Sequence, residues 1–126
     1  MNKFSDLGSQ MKSAGGLMPA AVYEELFTLA SALSGANVVE VGTAHGAATI
    51  AIALGAKTSS PPVTIHTIDR LGGKFSSRSK FGSVSDNEAI VRRNFREAGV
   101  ERMIRMFVGS SDEFAASADC PAAIGL

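Results

Sequence analysis

A chain of 126 residues fits one domain, and a hydrophobic content of 45% gives that domain the material for a core. The formal net charge is zero, so no global field draws the chain to nucleic acid, and no apolar run reaches membrane-spanning length. A single cysteine, Cys120, excludes an internal disulfide and a cysteine-based zinc site, and two histidines without ligand-like spacing argue against a histidine-held metal. The N-terminus lacks the apolar core of a secretory signal, which leaves the cytoplasm as the default compartment.

Residues 1–18 are polar and glycine-containing and read as a loose lead-in, with residues 19–126 as the folded unit. Pro19 suits a helix first turn, and Val22, Leu26, Leu29 and Leu33 repeat at helical spacing until Gly35. Val38–Val41 is a short strand whose continuous apolar character, broken by Glu40, predicts burial on both faces as in a parallel sheet. Gly46 to Ala56 is a helix of small and aliphatic residues, ended by Thr58-Ser59-Ser60-Pro61-Pro62. Val63–Ile68 is the second strand, closing on Asp69.

Residues 70–85 form a basic Gly/Ser-rich loop carrying Arg70, Lys74, Phe75, Arg78, Lys80 and Phe81. A solvated loop, a lid over an anionic substrate and a nucleic-acid contact are its three readings, with the solvated loop favoured by its composition and nucleic acid the least favoured. Ser85-Asp86-Asn87-Glu88 predicts a capping box, and Ala89, Ile90, Phe95 and Ala98 give the following helix an apolar face. Arg92, Arg93 and Arg96, balanced by Glu88 and Glu97, form its solvated face. Met103–Val108 is the third strand, Gly109-Ser110-Ser111-Asp112 opens a short helix to about Ala118, and Ala122–Leu126 begins a fourth strand.

Strands alternating with helices predict an α/β fold, a Rossmann-like three-layer sandwich on a parallel sheet with right-handed crossovers. The doubly wound order puts the first strand beside the second and fourth, and ligands beyond the strands' carboxyl ends. Three segments reach that rim. In the first, Glu40 through Gly46, Gly42 and Gly46 permit close backbone approach and the new helix offers N–H groups. In the second, the Asp69 carboxylate can accept both hydrogen bonds of a ribose diol. In the third, Gly109–Asp112, small polar residues can meet a base edge. Each has a plainer reading: a tight turn, a solvated acid, and a helix cap at Ser110 or Asp112. Their order, each at a strand end, favours a nucleoside-bearing cofactor. Glu-x-Gly-x-x-x-Gly lacks the middle glycine of the dinucleotide fingerprint, and no Gly-Lys-Ser/Thr phosphate loop is present.

On Val39-Glu40-Val41-Gly42-Thr43-Ala44-His45-Gly46, Thr67-Ile68-Asp69 and Phe107-Val108-Gly109-Ser110-Ser111, the sequence resembles the class I S-adenosylmethionine (SAM)-dependent methyltransferases, most closely those of small-molecule O-methyltransferase type. The resemblance covers about residues 20–126 and implies cofactor-binding roles residue by residue. Gly42, Thr43, Ala44 and Gly46 would lie against the methionine part, and Glu40 would support that loop or bond near the amino group. Asp69 would hold the ribose hydroxyls, Ser110, Ser111 and Asp112 would flank the adenine, and Arg70 with Leu71 would cover the adenosine. The resemblance further implies methyl transfer to a small-molecule acceptor, with S-adenosylhomocysteine (SAH) as product. The family's fourth strand ends in an acidic segment that this chain lacks, so the expectation is the N-terminal cofactor-binding half, truncated in strand four, with any metal held by residues beyond this chain.

No base is assigned. His45 lies on the cofactor loop, where it could be a base or bond to a loop carbonyl; His66 and Cys120 read as structural. An unpartnered edge on the first strand predicts self-association, as a dimer or by strand exchange. Two other functions compete: a non-catalytic cofactor-sensing or assembly module, and a nucleotide-binding oxidoreductase half.

Overall fold

Small residues bring two helices into close contact, and that contact organises one side of the sheet. The computed structural model describes residues 6–72 and 83–126. Its elements run α1 (Leu7–Ser13), α2 (Ala20–Ser31), β1 (Asn37–Val41), α3 (Ala47–Ala56), β2 (Thr64–Asp69), α4 (Val84–Glu97), a 3-10 turn (Glu101–Met103), β3 (Ile104–Val108) and α5 (Ser111–Ala116). Among the described residues the sheet has three parallel strands in the order β1-β2-β3, with Val38 opposite Ile65, Glu40 opposite Thr67 and Asp69 opposite Val108. This is the α/β, Rossmann-like architecture expected from the alternation of strands and helices.

Side chains alternate across the sheet. Val38 and Ile65 join a core with Ile50, Ala51 and Ala53 of α3 and Val91 and Phe95 of α4. The opposite face carries His66, whose ring centroid lies 5.9 Å from that of Phe114 on α5. Helices therefore cover both faces. The fourth-strand segment takes its expected place without becoming a regular strand: Gly125 donates to the Asn37 carbonyl at 2.8 Å and Val39 donates to the Leu126 carbonyl at 2.9 Å, along the outer edge of β1.

Three local expectations are corrected. The lead-in is not loose over its described part, because α1 buries Leu7 and Met11 in the core; its short apolar repeat is diluted by polar neighbours. The stripe of α2 is partly turned from the expected one: Leu26 and Leu33 pack against the core as expected and Tyr23 and Ala30 are buried beside them, whereas Val22 is 38% and Leu29 45% exposed. Gly55 explains the rotation. With no side chain there, α3 lies directly on the α2 backbone at Phe27, and a Cβ on Gly55 would overlap the Phe27 carbonyl. Finally, the cap of α4 is Ser83. Its Oγ accepts from Asp86 N at 3.2 Å while Ser83 N donates to Asp86 Oδ2 at 3.3 Å. Glu88, the expected partner of Ser85, instead pairs with Arg92 at 2.9 Å. The basic segment 73–82 lies outside the described residues.

Candidate functional site

The carboxyl ends of β1, β2 and β3 surround a cleft of about 290 Å³ lined by Val41, Gly42, Ile68, Asp69, Arg70, Gly72, Gly109, Ser110 and Ser111. All three expected rim segments thus contribute. A larger space of about 450 Å³ lies between α1, α3 and α4, lined by residues such as Gln10, Leu54 and Glu97, none of which belongs to those segments.

Gly42 supplies the open wall of the cleft. Its φ is 98°, in the left-handed region, and a Cβ there would meet no atom within 4 Å. The space in front of its backbone is therefore free for another molecule. Gly46 differs. Its φ is 92°, and a Cβ would lie 2.6 Å from Phe95 Cε1, so Gly46 makes room for a core ring under the N-terminus of α3. Its N–H is bonded to the Thr43 carbonyl at 2.8 Å.

Asp69 ties two rim loops together. Its Oδ2 accepts from Ala44 N at 2.9 Å and its Oδ1 accepts from Leu71 N at 2.8 Å. Among the described residues, Ala44 and Leu71 are the two non-glycine residues with positive φ, at 47° and 54°. The carboxylate therefore stabilises two unfavourable backbone conformations, one in the loop after β1 and one in the turn after β2. A carboxylate has about four lone-pair directions, and these two amides occupy two of them. Sequence reasoning gave Asp69 a ligand role and missed its bonds to the two loop amides. Leu71, expected over the adenosine, is buried in the core, leaving Arg70 and Gly72 at the cleft.

Behind the first loop lies a buried threonine network. Glu40 Oε1 accepts from Thr49 Oγ1 at 2.5 Å and from Thr67 Oγ1 at 2.7 Å. The Thr67 oxygen also contacts Thr43 Oγ1 at 2.5 Å. Since the one Thr67 proton goes to Glu40, Thr43 is the donor in that last pair. Burial pushes the Glu40 carboxyl above its ordinary range; the Thr49 and Thr67 hydroxyls oppose that shift and the nearby Asp69 charge adds to it. Glu40 thus lies behind the loop, linked to Thr43 of that loop through Thr67. No described group donates to its Oε2. Thr49 and Thr67 were legible only as strand and helix residues; the i, i+9 pairing of Glu40 with Thr49 needs the turn between them to be known.

Ser110 caps α5: its Oγ accepts from Glu113 N at 3.1 Å and its N–H donates to Glu113 Oε1 at 3.1 Å. Those contacts hold the Glu113 carboxyl below its ordinary range. The cap and the cleft wall are both occupied by the same residue. Ser111 lines the cleft, whereas Thr43, Ala44, Gly46, Glu40 and Asp112 stand outside its lining. His45 also stands outside it. Its Nδ1 lies 2.9 Å from where a Cβ on Gly15 would sit, and its carbonyl accepts from Asn94 Nδ2 at 2.9 Å. His66 is buried with Nε2 3.3 Å from Asn37 Oδ1, and burial together with the Arg105 charge holds it below its ordinary range against the opposing pull of Asp119. Among the described residues no helix is long and apolar enough to cross a membrane.

No protein-family model matches the chain, and no curated protein matches it. Solved structures do. A cofactor-bound protein, Rv0187 from MTB, superposes with a TM-score of 0.61 at 22% identity, covering 94% of this chain and 49% of that one. The O-methyltransferase TomG from Streptomyces achromogenes, involved in tomaymycin synthesis and solved in complex with SAM, superposes with a TM-score of 0.61 at 17% identity, covering 98% of this chain and 49% of that one. The chain spans about half the length of these two structures. At such identities the likeness is one of fold: a Rossmann-like α/β arrangement shared with an O-methyltransferase.

Proposed function

We propose that this chain is a cofactor-binding part of a SAM-dependent methyltransferase and that SAM and SAH bind in the cleft at the strand ends. The observation that carries this reading is the pairing of an unobstructed left-handed Gly42 on one wall with the Asp69 carboxylate, bonded by two amides, on the floor. The fold shared with a SAM complex supports it. The donor set fits the cofactor: Asp69 for a ribose diol, Gly42 for close backbone approach, and Ser111 and Arg70 at the far wall. Glu40 Oε2, behind the loop, suits a cationic neighbour.

When bound, SAM supplies an activated methyl group on a sulfonium sulfur. The protein's contribution is positioning: it holds the nucleoside and excludes alternative orientations of the cofactor. A small molecule bearing a nucleophilic oxygen is the proposed acceptor, and cytoplasmic residence the proposed setting, in keeping with the single cysteine. The test is a calorimetric titration with SAH, with NAD as comparator. Saturable binding of SAH alone supports the reading. Binding of NAD alone overturns it in favour of an oxidoreductase half, and binding of neither to folded protein overturns it for this chain.

A further inference from the structure

Asn87, on the first turns of α4, is 1% exposed and does not touch the cleft. Its Nδ2 donates to the Leu71 carbonyl at 2.6 Å, and its Oδ1 has no hydrogen-bond partner among the described residues. The assignment of the amide is fixed by that contact, because the reversed orientation would set two oxygens against each other. A buried carbonyl oxygen without a donor costs about 1–3 kcal/mol, and a leucine of similar volume would not incur it. The position is thus occupied by a residue whose packing is poorer than that of an apolar alternative and whose one satisfied bond goes to the turn after β2.

That turn needs holding. Leu71 is left-handed without being glycine, its N–H is bonded to Asp69 and its carbonyl to Asn87. Arg70 and Gly72, on either side of it, form one wall of the cleft. Remove the Asn87 bond and the Leu71 carbonyl is orphaned in the core. The peptide would then be free to rotate toward an unstrained φ, carrying the wall and the Leu71 N–H away from Asp69.

We infer that Asn87 is a positioning residue for the nucleoside side of the cleft, acting through Leu71 on Asp69, Arg70 and Gly72. This rests on the cofactor reading above. It predicts a loss of affinity shared by every ligand with the nucleoside, whatever stands at its other end.

The experiment titrates SAH and 5′-methylthioadenosine, which lacks the amino-acid end, into wild-type protein, Asn87→Asp and Asn87→Ala. Folding is monitored by circular dichroism. At pH 8 both variants should bind both ligands about tenfold more weakly, the value of one lost buried hydrogen bond. In Asn87→Asp the deficit relative to wild type should shrink as pH falls, because a protonated carboxyl regains a donor for the Leu71 carbonyl. A folded variant that binds within twofold of wild type overturns the inference, as does a loss confined to SAH. If both variants fail to fold, hydrogen exchange of the Asn87 side-chain amide in wild-type protein decides it. Slowing by tenfold or more with saturating methylthioadenosine supports the inference, and no change overturns it. Failure of wild-type protein to bind either ligand sinks the underlying reading instead.

Discussion

Replacing Thr67 with valine tests whether the threonine network, rather than backbone geometry alone, holds the first rim loop. Thr67 is fully buried, and its hydroxyl both donates to Glu40 Oε1 at 2.7 Å and accepts from Thr43 at 2.5 Å. Valine keeps the shape and removes both contacts. Losing a hydrogen bond to a charged group costs about 1.5–3 kcal/mol, and the stranded Thr43 hydroxyl adds about 1 kcal/mol. The sum is about 2.5–4 kcal/mol, a large part of the roughly 5–15 kcal/mol available to a domain. Thr67→Ser is the control: it keeps the hydroxyl and loses a methyl group, at about 1 kcal/mol.

The assay is urea denaturation of both variants at pH 8 and pH 5, with SAH affinity measured on the folded samples. The pH comparison carries the sign. Thr67 lowers a Glu40 carboxyl that burial raises, so its contribution is greatest where Glu40 is ionised and fades as Glu40 takes up a proton. Valine should therefore be more destabilising than serine at pH 8, with the gap narrowing at pH 5. SAH affinity should fall with Thr67→Val, because Thr43 belongs to the loop whose Gly42 lines the cleft. If Thr67→Val is no less stable than Thr67→Ser at pH 8, the network does not hold the loop and the reasoning fails.

Glu40→Gln keeps an oxygen for the two threonine hydroxyls and removes the charge. A carboxyl raised in the fold contributes stability at acid pH that is lost as pH rises from the ordinary value of 4.5 through the folded value. The glutamine variant lacks that loss, so its stability relative to wild type should grow between pH 5 and pH 8 in urea titrations; a difference that stays flat refutes the assignment. Gly55→Ala should destabilise by about 1–3 kcal/mol or more despite alanine's better helix propensity, since the new Cβ would overlap the Phe27 carbonyl and sit 2.9 Å from its carbon and Cα. A thermal midpoint at or above wild type would contradict the close helix contact. Ser110→Ala should cost about 1 kcal/mol through loss of the α5 cap, read by chemical denaturation. The β1 edge is not unpartnered, since Gly125 and Leu126 bond Asn37 and Val39 there, so self-association through it requires their displacement; a sedimentation mass that rises with concentration supports such exchange, and a single monomer mass at high concentration counts against it.

The strand–helix alternation was legible because apolar runs and glycine breaks repeat along the chain, and Gly42, Asp69 and Ser110 were legible because each closes a strand. Errors came where two local signals competed. Ser83 and Ser85 each have an acid three residues on, and the reciprocal bonds between Ser83 and Asp86 settle which serine caps α4, with Glu88 taken up by Arg92. The face of α2 depends on where α3 touches it, which Gly55 decides from a distance in sequence. Gly46 and Gly42 look equivalent in the motif, yet one faces Phe95 and the other faces open space. No periodicity distinguishes them, because the difference lies in α4, on the far side of β2.

The same comparison shows how the cleft is built. Its walls are fastened to one another: Asp69 bonds both the Ala44 and Leu71 amides, Asn87 holds the Leu71 carbonyl, and Gly109 N donates to the Asp69 carbonyl at 2.9 Å. All of these contacts fall between Ala44 and Gly109. A ligand meeting this cleft finds the acidic side chain already oriented by two amides, so little ordering cost remains at the moment of binding. A carboxylate free to rotate would have to be fixed by the ligand itself. The arrangement also limits what Asp69→Ala can reveal, since that change releases two strained turns as well as removing the carboxylate. Gly42→Ala is the cleaner perturbation of the binding surface: its Cβ would enter the cleft without touching a protein atom. Its φ of 98° predicts a stability cost of about 1–2 kcal/mol, and the loss of SAH affinity should exceed that backbone effect. An affinity unchanged by Gly42→Ala would place the cofactor elsewhere.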